Sequence, residues 1–191
     1  LTNKKFIYYL LISAIFFGVT NMGHTFTPAY FQSEGLDISI VSVIVSLAVI
    51  CEAPIVLFSN KFMDKIDNKK LLIIAFSMVI VLYSIYAFNL WIPLQVIATF
   101  VVKHPSGMLF IMINLKVVNT LVDAKYQITA LSLVQTFRNL SSVIFQNIGG
   151  QILNVTSYQN MFLCALGFIF VGLVMTFLFK IPTGNDRKLF N

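Results

Sequence analysis

Residues 71–88 read LLIIAFSMVIVLYSIYAF, eighteen positions without one charged side chain. A helix rises about 1.5 Å per residue, so such a run nearly spans the ~30 Å hydrocarbon layer of a bilayer. Asp67-Asn68-Lys69-Lys70 precedes it with cap and charge, and the stretch from Asn89 to Pro93 follows it with turn chemistry. The run therefore reads as a transmembrane helix. Working outward in both directions, five more stretches have the same character, near residues 6–31, 38–58, 93–118, 126–153 and 160–179. The remaining separators, Ser33-Glu34-Gly35, Asp123 and Asn154 to Gln159, are too short to hold a soluble domain. The expectation is an all-α polytopic membrane protein, with residues 1–191 forming a single six-helix transmembrane domain.

Composition points the same way. Hydrophobic residues make up 58% of the chain, charged residues 10%, and mean hydropathy is +0.88. A soluble domain carries about 25% charged residues to cover its surface, so this chain must use lipid as part of its solvent. Cys51 and Cys164 lie in apolar runs without metal-type spacing and read as small core residues. The chain opens on Leu1 rather than methionine, which leads us to expect a piece of a longer protein. The apolar stretch after Lys4 and Lys5 is too long for a removable signal peptide.

The net charge of +6 is a matter of topology, and no nucleic-acid partner is expected. Cytoplasmic loops are enriched in Lys and Arg. Lys4 and Lys5 flank the first span. Lys61, Lys65, Lys69 and Lys70 surround the second connection, Lys125 lies in the fourth with Lys116 just inside it, and Lys180, Arg187 and Lys188 lie in the tail. The first, third and fifth connections have neither Lys nor Arg. Both termini are thus expected in the cytoplasm, which requires an even number of spans, and six is even.

Three charges fall inside the spans: Glu52, Lys103 and Arg138. Each costs about 2.5–3.5 kcal/mol at a helix centre on insertion scales, so each needs a purpose. In the fifth span Ser132, Gln135, Arg138, Asn139, Ser142, Gln146 and Gly149 fall within one arc at helical spacing. That arc must face other helices or water, either as interhelical hydrogen bonding or as a substrate pathway. Glu52 precedes Ala53-Pro54, where the proline should kink the second span. It is either a proton-coupling carboxyl or a fixed partner for Lys103 or Arg138. With the second span ending at Phe58, Glu52 lies closer to the cytoplasmic edge than either cation, so direct pairing needs tilt or kinking. Lys103-His104-Pro105-Ser106-Gly107 predicts a broken or bent segment at mid-membrane. His104 is a proton relay or an ordinary hydrogen-bonded histidine. His24, near the outer edge with Asn21 beside its face, is a candidate solute contact.

Catalytic signatures are missing. The sequence has no H-E-x-x-H helix, nucleophile elbow, P-loop or Gly-rich dinucleotide turn, so an enzyme is not expected. No metal or organic cofactor is implied. Asn154-Val155-Thr156 fits a glycosylation sequon in a very short connection.

The second connection reads Asn60-Lys61-Phe62-Met63-Asp64-Lys65-Ile66-Asp67-Asn68-Lys69-Lys70. It resembles the signature loop of the major facilitator superfamily, with Asp64, Lys65, Lys69 and Lys70 matching and Asn60 and Asp67 standing where that loop has glycines. Glu52-x-Pro54 is similar to the sugar-efflux members, and Asp123-Ala124-Lys125-Tyr126 and Tyr158-Gln159 to the lactose-permease-like ones. The permease's histidine and glutamate pair is not reproduced; Lys103 and Ser106 stand near those places. The resemblance covers nearly the whole chain and implies the C-terminal six-helix half of such a transporter. That half would pair with an N-terminal six-helix half or a second copy. It further implies alternating access for a small polar solute, sugar-like or drug-like, driven by protons, in a bacterial cell membrane. The first, second, fourth and fifth helices would line the pathway, the third and sixth would face lipid, and the Asp64 loop would latch one conformational state. Asp64 itself is expected to accept hydrogen bonds at the start of the third span and to pair with Lys65 or Lys69. The candidate substrate or coupling residues are Glu52, Arg138, Lys103, His104, His24, Asn21, Gln135, Asn139 and Gln146. An oligomeric six-helix channel or membrane scaffold is the alternative.

Overall fold

Asn3 opens the first helix, its side chain accepting the Lys5 backbone N–H at 3.0 Å and so satisfying one of the orphan donors of the first turn. The computed structural model describes residues 3–181; Arg187 and Lys188 of the basic tail lie outside the described residues. Helix α1, Lys4–Ser33, ends where Gly35 takes a φ of 95° that side-chain-bearing residues rarely adopt. Asp37 then caps helix α2, Ile38–Ile50, accepting the Ser39 N–H at 2.8 Å.

The second span is broken, as the proline predicts. Cys51 and Glu52 form a turn, and the chain resumes as α3, Ala53–Leu57, with Pro54 in its first turn. It continues as α4, Ser59–Phe62, so the span runs beyond Phe58, where the sequence reading ended it. Helix α5, Asn68–Ala87, follows.

The fourth span is α6, Ile92–Ala98, then a π-helical turn over Thr99–Lys103, then α7, His104–Leu121. Pro105 has no N–H to donate and its ring crowds the carbonyl four residues earlier, and the widened turn absorbs that conflict. The irregularity therefore precedes Pro105. Gly107, expected to be part of a broken segment, lies within the regular α7.

A short 3₁₀ turn, Ala124–Tyr126, leads to α8, Gln127–Val155, and a two-residue link to α9, Tyr158–Leu178. By length and composition, segments 4–33, 38–57, 68–87, 92–121 and 158–178 can cross a membrane. Helix α8 is too polar for that criterion, yet its two ends lie at opposite ends of the bundle.

Those ends are fixed by hydrogen bonds between distant residues. At one end Asn3 Nδ2 donates to the Leu121 carbonyl at 2.9 Å and Asn68 Nδ2 to Thr120 Oγ1 at 3.3 Å. There too, Lys69 Nζ donates to the Phe177 carbonyl at 2.6 Å, and Gln127, which starts α8, donates to Asn119. At the other end Glu34 accepts from Asn89 at 3.0 Å and from Gln159, just past the end of α8, at 3.2 Å. The lysine-bearing connections thus gather at one end and the lysine-free ones at the other, and all six segments run between them.

Helix α1 sits at the centre, against α2, α7, α8 and α9, while α5 packs on α7 and α9. Phe16, Phe17, Phe76 and Phe110 interleave within this core, Phe16 stacking on Phe110 at 3.8 Å between ring centroids. Gly18 and Gly172 mark two of the close approaches that need glycine. A β-carbon on Gly18 would run into Ser141 and Phe145 of α8, and one on Gly172 would run into Phe76 of α5. Cys51 and Cys164 are free and only partly buried.

Candidate functional site

Three irregularities or polar stripes converge around His104. Its Nδ1 lies 2.9 Å from Glu52 Oε1, joining the break of the second span to the π turn of the fourth. The sequence reading weighed Lys103 or Arg138 as partners for Glu52; the partner is His104. The reason is depth. Counted from their starts at Ile38 and Ile92, Glu52 and His104 lie at about 21 Å and 18 Å of helix rise, nearly level. Because the second span continues through α4, Glu52 is deeper than the Phe58 boundary implied.

Beside His104 is His24, their ring centroids 5.0 Å apart and the rings inclined at 73°. His24 was expected near the outer edge; it lies instead within electrostatic reach of Lys103, His104 and Arg138 together. Phe17, Asn21 and His24 recur at i, i+4 and i+7, so they line one stripe of α1. The stripe meets α8 through two contacts. The Arg138 guanidinium lies over the Phe17 ring at 3.9 Å, and Asn21 Nδ2 donates to Ser142 Oγ at 2.6 Å. Ser142 in turn donates to the Arg138 carbonyl at 2.7 Å. Asn21, His24, Glu52, Lys103, His104 and Arg138 thus form one constellation from four spans.

The electrostatics are lopsided. Lys103 is only 5% exposed and His104 8%. Among the described residues neither Lys103 nor Arg138 has an ion-pair partner, and buried His104 Nε2 has no hydrogen-bond partner. Ser106 Oγ donates to the Lys103 carbonyl at 2.9 Å, satisfying an acceptor at the irregular turn. Several polar residues of α8 do not join. Gln135 and Asn139 hydrogen-bond each other at 3.0 Å and remain exposed, and Gln146 is partly buried. Among the described residues no group of His, Cys, Asp and Glu gathers as a metal site requires.

The loop after α4 is tied down by residues besides Asp64. The cap position of α5 belongs to Asp67 rather than Asp64, and Asp67 pairs with Lys70 at 3.5 Å across an exposed surface, where such pairs contribute little. Lys65 is exposed, and Lys69 Nζ donates to the Phe177 carbonyl at 2.6 Å. Lys116 of α7 also holds this loop. It is 3% exposed, and its Nζ donates to the carbonyls of Met63 and, at 2.8 Å, Ile66, with the charges of Asp64 and Asp67 nearby. The sequence places Lys116 just inside the fourth connection, and a lysine inside the end of a span is the available signal for such a contact. Lys116→Met should release the 63–66 loop. Thiol labelling of a cysteine placed at Lys65 should then be faster by severalfold, and an unchanged rate would show that Lys116 does not restrain it.

A family model described as the Major Facilitator Superfamily matches residues 6–190. The chain belongs to the Major Facilitator Superfamily. It is an integral membrane protein of a transporter family, whose members are generally not enzymes. No curated protein matches the chain. Within this superfamily chain, the constellation on α1, the α2–α3 break, the π turn with α7, and α8 is the candidate transport site.

Proposed function

We propose that this chain is the C-terminal six-helix half of a proton-coupled secondary transporter that moves a small polar solute, sugar-like or drug-like, by alternating access. Its partner is an N-terminal six-helix half or a second copy, its termini are cytoplasmic, and its membrane is that of a bacterial cell. The observation that carries the reading is the Glu52–His104 pair, a carboxylate and an imidazole 2.9 Å apart where two spans are irregular. A proton shared between such groups changes the charge of the pair, and irregular backbone lets each side of the pair be exposed in turn. The resemblance of Glu52-x-Pro54 to the sugar-efflux members supports the solute class, and the loop resemblance supports the latch role of residues 60–70. An oligomeric channel or scaffold is not favoured by the family.

The test is Glu52→Gln, which keeps size and hydrogen bonding and removes the exchangeable proton. In proteoliposomes, counterflow of a labelled solute drawn from a panel of sugars and organic anions should persist. Accumulation driven by a pH gradient should fall to the equilibration level. Only alternating access exchanges solute without net flux, so net flux without counterflow in the unmodified protein would favour a channel. Survival of pH-driven accumulation in Glu52→Gln would leave Glu52 as a structural partner of His104.

A further inference from the structure

We infer that the site built by Lys103, Arg138, His24 and His104 takes a small solute bearing an oxyanion, a carboxylate in the first place. The inference rests on the transport reading above and narrows its solute class. Lys103 is 5% exposed with no counter-ion among the described residues. A charge held there without compensation is expensive, and a ligand carrying the opposite charge removes that cost. Glu52 does not supply it, because its carboxylate is engaged by His104 Nδ1 at 2.9 Å. The Arg138 guanidinium carbon lies 3.9 Å from the centre of the Phe17 ring and has no carboxylate partner among the described residues, so its N–H fork can take a two-oxygen acceptor. His104 Nε2 is buried without a partner, and it donates to an anion whenever it carries a proton. His24 lies beside His104, ring centroids 5.0 Å apart, within electrostatic reach of Lys103 and Arg138 as well. Three positive or donor groups around one histidine, with their one carboxylate already paired, describe a receptor for an anion and not for a neutral or cationic solute.

The test is thermal unfolding of the full chain in an uncharged detergent, so that no lipid headgroup competes. D-glucuronate, succinate and inorganic phosphate are titrated against D-glucose and D-glucosamine. Glucuronate and glucose differ chiefly in the carboxylate. A saturable rise in the unfolding temperature is expected with glucuronate or succinate, and none with glucose or glucosamine. A rise with phosphate alone would assign the site to a tetrahedral oxyanion and overturn the carboxylate preference. Lys103→Gln and Arg138→Gln, measured separately, should each raise the half-saturating concentration at least about tenfold. The exposed Lys125→Gln should not. The ligand-free transition reports whether each variant folds, and either variant alone suffices. An equal rise with glucose, no rise with any anion, or unchanged anion affinity in a folded Lys103→Gln or Arg138→Gln protein would overturn the inference. Those failures leave the proton reading standing, because that reading is decided by Glu52→Gln whatever the charge of the solute.

Discussion

Arg138→Ala should abolish transport in every mode, net uptake and counterflow alike, while membrane insertion stays intact or improves. The two halves of that expectation have separate causes. Removing a guanidinium from the middle of a span lowers the cost of inserting α8 by up to about 2.5–3.5 kcal/mol. The structural loss is small, because the guanidinium touches the Phe17 ring and has no carboxylate partner among the described residues. A contact of that kind contributes on the order of 0.5–1 kcal/mol. Loss of activity in a protein of normal abundance would therefore mark Arg138 as part of the transport site rather than of the helix packing. Arg138→Lys sharpens the point, since it keeps the charge and loses the planar fork. Uptake within twofold of the unmodified protein in Arg138→Ala would end the assignment.

Gly18→Leu should prevent the bundle from forming, and it should do so at a position with no chemistry of its own. Here α1 and α8 approach so closely that a β-carbon on Gly18 meets Ser141 and Phe145. Ser141 cannot simply turn away, because its hydroxyl donates to the Ala14 carbonyl at 2.5 Å, across the same seam. Overpacking typically costs about 1–3 kcal/mol, and more where backbone must move. Because α1 also packs on α2, α7 and α9, its displacement propagates through the bundle. Gly107→Ala is the matched control, since nothing lies within 4 Å of a β-carbon there. In a helix that exchange stabilises by roughly 0.5–1 kcal/mol. Detergent-extracted Gly18→Leu should be aggregated or unfold at much lower temperature, and Gly107→Ala should match or exceed the unmodified protein. Equal unfolding temperatures for both variants would mean that the α1–α8 seam yields more easily than its geometry indicates.

Helices were legible in the sequence because lipid imposes a crude requirement, about twenty apolar residues between polar breaks, and residues 71–88 meet it without ambiguity. The break at Pro54 was legible for an equally local reason, the missing N–H. What escaped was relative depth. Apolar character in the second span stops at Phe58 while the helix runs on to Phe62, and that offset hides the pairing of Glu52 with His104. Partner choice across helices was also hidden. Nothing in the local sequence says that Lys116 turns toward the carbonyls of Met63 and Ile66, or that Glu34 gathers Asn89 and Gln159. These pairings depend on which connections become neighbours, a property of the assembled bundle. Gln135 and Asn139 went the other way. Their spacing put them on the arc of Arg138, yet one turn of helix lets them satisfy each other.

The Glu34 carboxylate, holding one amide from the third connection and one beside the fifth, has a mechanical consequence. With Lys116, Lys69 and Asn3 fastening the opposite end, the long helices are clamped at both extremities, like staves held by two hoops. A body so bound resists splaying and turns as one piece. Compliance is then left to the places where the backbone ladder is already interrupted, the Cys51–Glu52 turn and the π turn before His104. His24 and Arg138 sit on the stiff helices α1 and α8, and the joints carry Glu52, Lys103 and His104. Bending and charge transfer therefore share the same few residues, and a change in one is felt directly by the other.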